Sequence, residues 1–218
     1  QQIKDDLDAI DADVRIGTAF NCGATIRRLA APKARRRQGT LRDLVRSIQE
    51  DILGFKDRHG LDQVVVVNIA STEPPLPPEP AFETAKGLRQ LIDADDRKAL
   101  RASVLYGYAA ADLGLPLINF TPNVGSVAPG IQVIARKNGA PLIGNDGKTG
   151  ETLVKSALAP MFKYRNLKVL TWQGYNILGD RDGEVLADPE NKQAKLRTKD
   201  GVLSQILGYP LHTHVGID

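Results

Sequence analysis

One cysteine, Cys22, stands among 218 residues, so no internal disulfide can form. That fits a reducing compartment, and a cytoplasmic protein is the expectation. Nothing in the sequence supports Cys22 as a nucleophile. No apolar run approaches the roughly 18 residues that a membrane-crossing helix needs. The dinucleotide fingerprint G-x-G-x-x-G is absent, because Gly17 to Gly23 (GTAFNCG) has neither its spacing nor an apolar strand before it. Any pyrophosphate-binding turn is therefore expected upstream of Gln1. A nucleoside-triphosphate loop is rejected too: Gly147-Lys148-Thr149 matches the end of G-x-x-x-x-G-K-T, but Leu142 stands where its first glycine belongs. Histidine is scarce, with three in all, and His212 and His214 alternate along a strand-like stretch with no third ligand evident. No metal site is read, and a metal requirement stays open. Aromatics make up 5%. The basic run Lys33 to Arg37 (KARRR), with Arg27-Arg28, has none interleaved, so it reads as a solvated loop and no nucleic-acid partner is expected.

What is present is ordinary for a soluble globular chain: 42% hydrophobic and 25% charged residues. The net charge of +3 suits an anionic small substrate. Helical periodicity starts at Thr40, where Thr40 and Asp43 resemble a capping box, and continues through Leu41, Leu44, Val45, Ile48, Ile52 and Phe55. Val64 to Ala70 (VVVVNIA) is a β-branched run that fits a strand buried on both faces. A proline-rich loop (Pro74 to Pro80) leads to helices over about Phe82–Ala94 and Arg97–Leu113. Leu115 to Phe120 and Pro141 to Gly144 read as further strands, separated by a helix with Pro129 in its first turn and Gly139 at its end. A helix from Glu151 to Tyr164 and a strand from Leu167 to Trp172 follow. This β-α alternation predicts an α/β fold with a Rossmann-like, mostly parallel sheet over residues 1–179. Asp180 to Lys199 is charged and turn-rich, so residues 180–218 are expected to begin a second, α+β domain. Within it a helix is predicted over Asp200–Leu207. The chain starts at Gln1 and stops in an apolar, strand-like stretch, and it is read as a fragment lacking both ends.

In a doubly wound sheet, ligands bind beyond the carboxyl ends of the strands. Three polar loops fall there: Ser71-Thr72-Glu73, Asn119 to Ser126, and Asn145 to Thr152. The last is the most specific. In GNDGKTGET (Gly144 to Thr152), Gly147 and Gly150 permit close backbone approach and Lys148 brings a charge. Thr149 and Thr152 place hydroxyls at a helix start, whose free N–H groups favour phosphate. Lys195 and Lys199 stand four apart, a spacing that puts two ammonium groups on one helix face.

These residues carry a family pattern. VVVVNIASTE (Val64 to Glu73), INFTPNVGSVAPG (Ile118 to Gly130), IGNDGKTGETLVKS (Ile143 to Ser156), YNILGDRDG (Tyr175 to Gly183) and AKLRTKDGVL (Ala194 to Leu203) follow in order. The sequence resembles inositol-3-phosphate synthase of bacterial type from Val64 to its end, and more loosely before that. The resemblance implies an NAD-dependent enzyme that converts glucose 6-phosphate to 1D-myo-inositol 3-phosphate by oxidation at C5, enolisation, aldol cyclisation and reduction. It also implies a homotetramer. The alternative is another NAD-binding oxidoreductase or an inactive homologue. By matching position, Lys195 and Lys199 are implied as catalytic residues, and Lys148, Thr149, Gly150, Glu151 and Thr152 as the phosphate cradle. Ser71, Thr72, Asn119, Thr121, Asp146, Asn176 and Asp182 are implied as cofactor contacts. Two positions depart from the pattern. Asn145 replaces one of a pair of aspartates, and Glu151 replaces a glutamine where a negative charge looks unfavourable beside a phosphate. The family's further catalytic lysines are expected beyond Asp218.

Overall fold

The computed structural model describes residues 2–32, 39–147, 150–176 and 181–217. The basic run 33–37 lies outside them. In chain order the described elements begin with helices α1 (Gln2–Asp11), α2 (Ala24–Leu29) and α3 (Leu41–Arg58). Then come β1 (Val66–Asn68), α4 (Ala85–Asp93), α5 (Ala102–Asp112), β2 (Leu117–Asn119), α6 (Pro129–Asn138), β3 (Leu142–Gly144) and α7 (Gly150–Tyr164). The last four are β4 (Thr171–Asn176), α8 (Arg181–Leu186), α9 (Pro189–Leu207) and β5 (His212–Ile217).

α3 starts where its sequence says it should. The Thr40 hydroxyl accepts from the Asp43 N–H (3.2 Å) and the Asp43 carboxylate accepts from the Thr40 N–H (2.9 Å), which satisfies two of the donors a helix start leaves open. α3 buries Leu41, Leu44, Val45 and Ile48 on one stripe. That stripe joins Leu88 and Ile92 of α4, Val104, Leu105 and Tyr108 of α5, and Ile131 and Ile134 of α6 in the main core. α5 (ASVLYGYAAAD) has no polar face, which suits a helix surrounded by others. Gly107 is what lets the next segment pass: a Cβ there would lie 2.6 Å from the Ser126 Cα. Gly107→Ala should therefore cost about 1–3 kcal/mol, measured as a lower denaturant midpoint at unchanged slope.

β1, β2 and β3 form a parallel sheet in that order, with Val66, Leu117 and Leu142 in one row, Val67, Ile118 and Ile143 in the next, and Asn68, Asn119 and Gly144 in the last. The expected parallel neighbours are thus present, though shorter than their apolar runs. The expectation that β1 is buried on both faces is corrected. Val65, Val67 and Ile69 are 49%, 48% and 79% exposed, and Ile143 beyond them is exposed as well. The opposite face is covered, with Leu117 and Asn119 buried at its centre.

Two more expectations shift. The strand read at Leu167–Trp172 lies at Thr171–Asn176 and pairs in parallel with β5, in a second sheet. The charged stretch read as turns is largely helix. α9 begins at Pro189 behind Asp188, whose side chain accepts from the Glu190 N–H, and it ends at Gly208 in the left-handed region. A second core of Ala159, Leu203 and Leu207, with Phe162, Val169 and Trp172 against it, joins α7, α9 and β4. No helix among the described residues is long and apolar enough to cross a membrane.

Candidate functional site

The row Asn68, Asn119 and Gly144 closes the carboxyl end of the three-stranded sheet, and a polar network grows from it. Asn119 is 1% exposed. Its side-chain oxygen accepts from the Thr121 hydroxyl (2.7 Å), the Thr121 N–H (3.1 Å) and the Asn68 amide (3.2 Å), and its own amide donates to the Asn123 carbonyl (2.9 Å). Asn123 then crosses to the loop after β1, accepting from the Glu73 N–H (2.8 Å) and donating to the Ser71 carbonyl (3.1 Å). The loop after β3 joins by the Asn145 amide, which donates to the Pro122 carbonyl (3.3 Å). An aspartate side chain has no N–H to make that bond, which gives the first departure from the family pattern a local reason. Gly144 needs its lack of a side chain: its φ is +128°, and a Cβ would lie 2.9 Å from the Asn119 Cβ.

Glu73 follows Thr72 into the interior, and both are buried. Its carboxylate accepts from the Ser103 hydroxyl (2.5 Å) and the Ser103 N–H (3.1 Å), so it caps the start of α5 from another segment. Burial pushes its carboxyl pKa up, and the Ser103 bonds and the Arg101 guanidinium pull the other way. Beside this capping contact lies a cleft of about 450 Å³, bordered by β1 among the described residues. Asn68, Ser71 and Ser103 line it, together with Gly17, Thr18 and Cys22. The Tyr106 hydroxyl accepts from the Thr18 N–H (3.1 Å) and holds the segment from Gly17 to Cys22 in place. Cys22 is 3% exposed, and burial pushes its thiol up to about 11. At pH 8 burial keeps the thiol protonated, so iodoacetamide labelling of the folded chain should be far slower than in urea.

The helix-terminal part of the site is α7. Gly150 opens it, Glu151 is partly buried, and Thr152 is 5% exposed. Asp146 lies partly buried in the loop before it. Lys148 and Thr149 lie outside the described residues. So do the side chains of Asn176, Asp182, Lys195 and Lys199, whose backbones belong to β4, α8 and α9. Ser71, Thr72, Asn119 and Thr121 are thus brought together at one sheet edge. Gly150 to Thr152 follow the adjacent strand of that edge.

The sequence reading missed several participants. Glu73 was visible inside its quoted motif but not as a helix cap, since Ser103 lies 30 residues on. Tyr106 and the Gly17–Cys22 segment gave no signal at all. Lys155 is fully buried and paired with Glu151 at 2.8 Å, and the i, i+4 spacing was the signal available.

The chain is similar to known proteins of one family. A family model described as myo-inositol-1-phosphate synthase, and named for NAD binding, matches residues 1–212. Inositol-3-phosphate synthase 1 of Bacteroides thetaiotaomicron is 35% identical over 164 residues, covering 75% of this chain and 38% of its own. Inositol-3-phosphate synthase of Saccharomyces cerevisiae is 32% identical over 161 residues, covering 73% and 30%. This chain therefore spans less than two fifths of the length of either relative. Among solved structures, a myo-inositol-1-phosphate synthase-related protein of Thermotoga maritima superposes with a TM-score of 0.74 at 26% identity, over 93% of this chain and 52% of its own. Inositol-3-phosphate synthase of Caenorhabditis elegans, at 24% identity and a TM-score of 0.85, shares the fold over 94% of this chain and 42% of its own. With its parallel α/β sheet and its knitted carboxyl-edge loops, the chain belongs to the myo-inositol-1-phosphate synthase family, one of NAD-binding proteins.

Proposed function

We propose that the chain forms the cofactor-facing and phosphate-facing part of an inositol-3-phosphate synthase that cyclises glucose 6-phosphate with NAD as a recycled oxidant. The observation that carries this reading is the network centred on Asn119, which binds the loops after β1, β2 and β3 into one rigid edge. Ligands of open α/β sheets sit at such an edge.

Ser71, Thr72, Asn119 and Thr121 are assigned to the NAD side, with Asp146, Asn176 and Asp182 nearer the nicotinamide. The cleft along β1 is roomy enough to admit part of a dinucleotide, and Asn68, Ser71 and Ser103 offer it hydrogen-bonding groups. NAD, when bound, supplies the hydride acceptor and later the donor. The chain's own work is to orient and to neutralise. Lys148, Thr149, Gly150, Glu151 and Thr152 surround the substrate phosphate at the start of α7, where free N–H groups and the helix dipole favour an anion. Lys195 and Lys199 of α9 offset the negative charge that grows on substrate oxygen. Residues 1–179 are taken as the cofactor domain, and residues 180–218 as the start of a catalytic and oligomerisation domain, with β4 and β5 pairing across that boundary. A homotetrameric, cytoplasmic enzyme completes the proposal.

Product analysis tests it. Glucose 6-phosphate with catalytic NAD should yield inositol 3-phosphate with no net NADH, and net NADH without a cyclic product would overturn it in favour of another oxidoreductase. Thr152→Val, which keeps the shape of a buried side chain, should weaken glucose 6-phosphate binding by about 1–3 kcal/mol, the cost of a lost bond to a charged group. An unchanged affinity in calorimetry would remove Thr152 from the cradle.

A further inference from the structure

Lys155 lies on the inward stripe of α7 with Thr152 and Ala159, and its side chain is 0% exposed. An aliphatic residue would fill that position at less cost, because burying an ion pair is often no better for stability than a hydrophobic replacement of equal volume. The lysine therefore calls for a reason other than stability. Its ammonium lies 2.8 Å from Glu151, one turn back and second in the helix. The Glu151 carboxylate in turn folds over Gly174 of β4, where a Cβ would stand 2.6 Å from the Glu151 Cδ. Glu151 is the residue whose charge looked wrong for a phosphate subsite. The structure places that charge one turn from a buried counter-charge and over a glycine that makes room for it.

We propose that the buried Glu151–Lys155 pair sets the anion affinity of the α7 subsite, with Lys155 as a positioning residue that holds the Glu151 carboxylate over Gly174 and cancels its charge. The pair sums to zero, as an uncharged glutamine would at position 151 alone. The first turn of α7 thus keeps its attraction for a phosphate dianion. This rests on the phosphate reading of the subsite made above.

Calorimetric titration of the full-length protein with inorganic phosphate at fixed ionic strength tests the pair. Lys155→Met removes the counter-charge and should weaken phosphate binding about 10-fold or more, the scale of one unit charge a few ångströms from the anion. Glu151→Gln removes one negative charge beside the subsite and should tighten it by a similar factor. Gly174→Ala, which keeps both charges but pushes the carboxylate off its seat, should weaken it, and it stands in if Lys155→Met fails to fold. An ion pair with a merely structural role would lower thermal stability in these variants and leave the phosphate Kd within about twofold of wild type; that result overturns the proposal. Wild-type protein that binds no phosphate overturns the subsite reading itself, and the pair's role falls with it.

Discussion

In the full-length protein, as the proposed synthase, Lys199→Ala or Lys195→Ala is expected to cut turnover of glucose 6-phosphate by about 10²–10³-fold, the usual cost of losing one preorganised charge-stabilising donor. Oxidation at C5 yields a ketone, and loss of a C6 proton then spreads negative charge onto its oxygen. Water is a poor stabiliser for that enolate, because a wet site would protonate it before the ring closes. A fixed ammonium group does the same work without donating its proton early. The two lysines are set one turn apart on α9, about 6 Å along the axis. That helix is held at its start by Asp188 and at its end by Leu203 and Leu207 in the second core. The expected signature is a fall in kcat with NAD affinity almost unchanged, since neither lysine is assigned to the cofactor. Arginine should rescue only in part, because its planar head does not occupy the same compact point. Near wild-type cyclisation by both alanine variants would show that their roles do not carry over from the family.

How much of this was legible in the sequence depends on how local each determinant is. The start of α3 was readable because Thr40 and Asp43 are three residues apart and complete their own cap. The three parallel strands were readable because each is a short apolar run bounded by turn residues. The exposure of β1 was not readable. A β-branched run records what its backbone prefers, whereas burial depends on which neighbours cover it. The start of α9 was written locally, as Asp188 before Pro189, a cap residue before a first-turn proline. Its charged composition hid that signal behind an apparent run of turns. β4 slid four residues from its apolar run because its partner β5, some 40 residues on, fixes the register. Of the site, the polar loops and the row of Asn68, Asn119 and Gly144 come from motifs. The capping of α5 by Glu73 and the seat of Glu151 over Gly174 join residues 30 and 23 apart, and only the fold brings them together.

Asn119→Asp should destabilise the chain by about 3–5 kcal/mol at neutral pH, although it changes a single amide to a carboxylate of the same shape. Three of the wild-type bonds survive, because Thr121 and Asn68 still donate to one oxygen. The fourth inverts: the second oxygen would face the Asn123 carbonyl at the 2.9 Å now spanned by an N–H donor. Two acceptors then oppose each other at a position that is 1% exposed, and the new charge is buried as well. Both effects favour the protonated acid, so the folded-state pKa of residue 119 should rise above its unfolded value of about 3.9. The sign of the pH dependence follows. Between the two pKa values the folded variant binds more protons than the unfolded one, so its stability falls as pH rises through that window. Below the unfolded value the protonated acid can again donate to Asn123, and the deficit against wild type should shrink. Chemical denaturation of both proteins from pH 3.5 to 8 measures the gap. A gap that stays constant over that range would mean that the carboxylate escapes to solvent, and that the loops after β1 and β2 are less firmly joined through Asn119 than its four bonds imply.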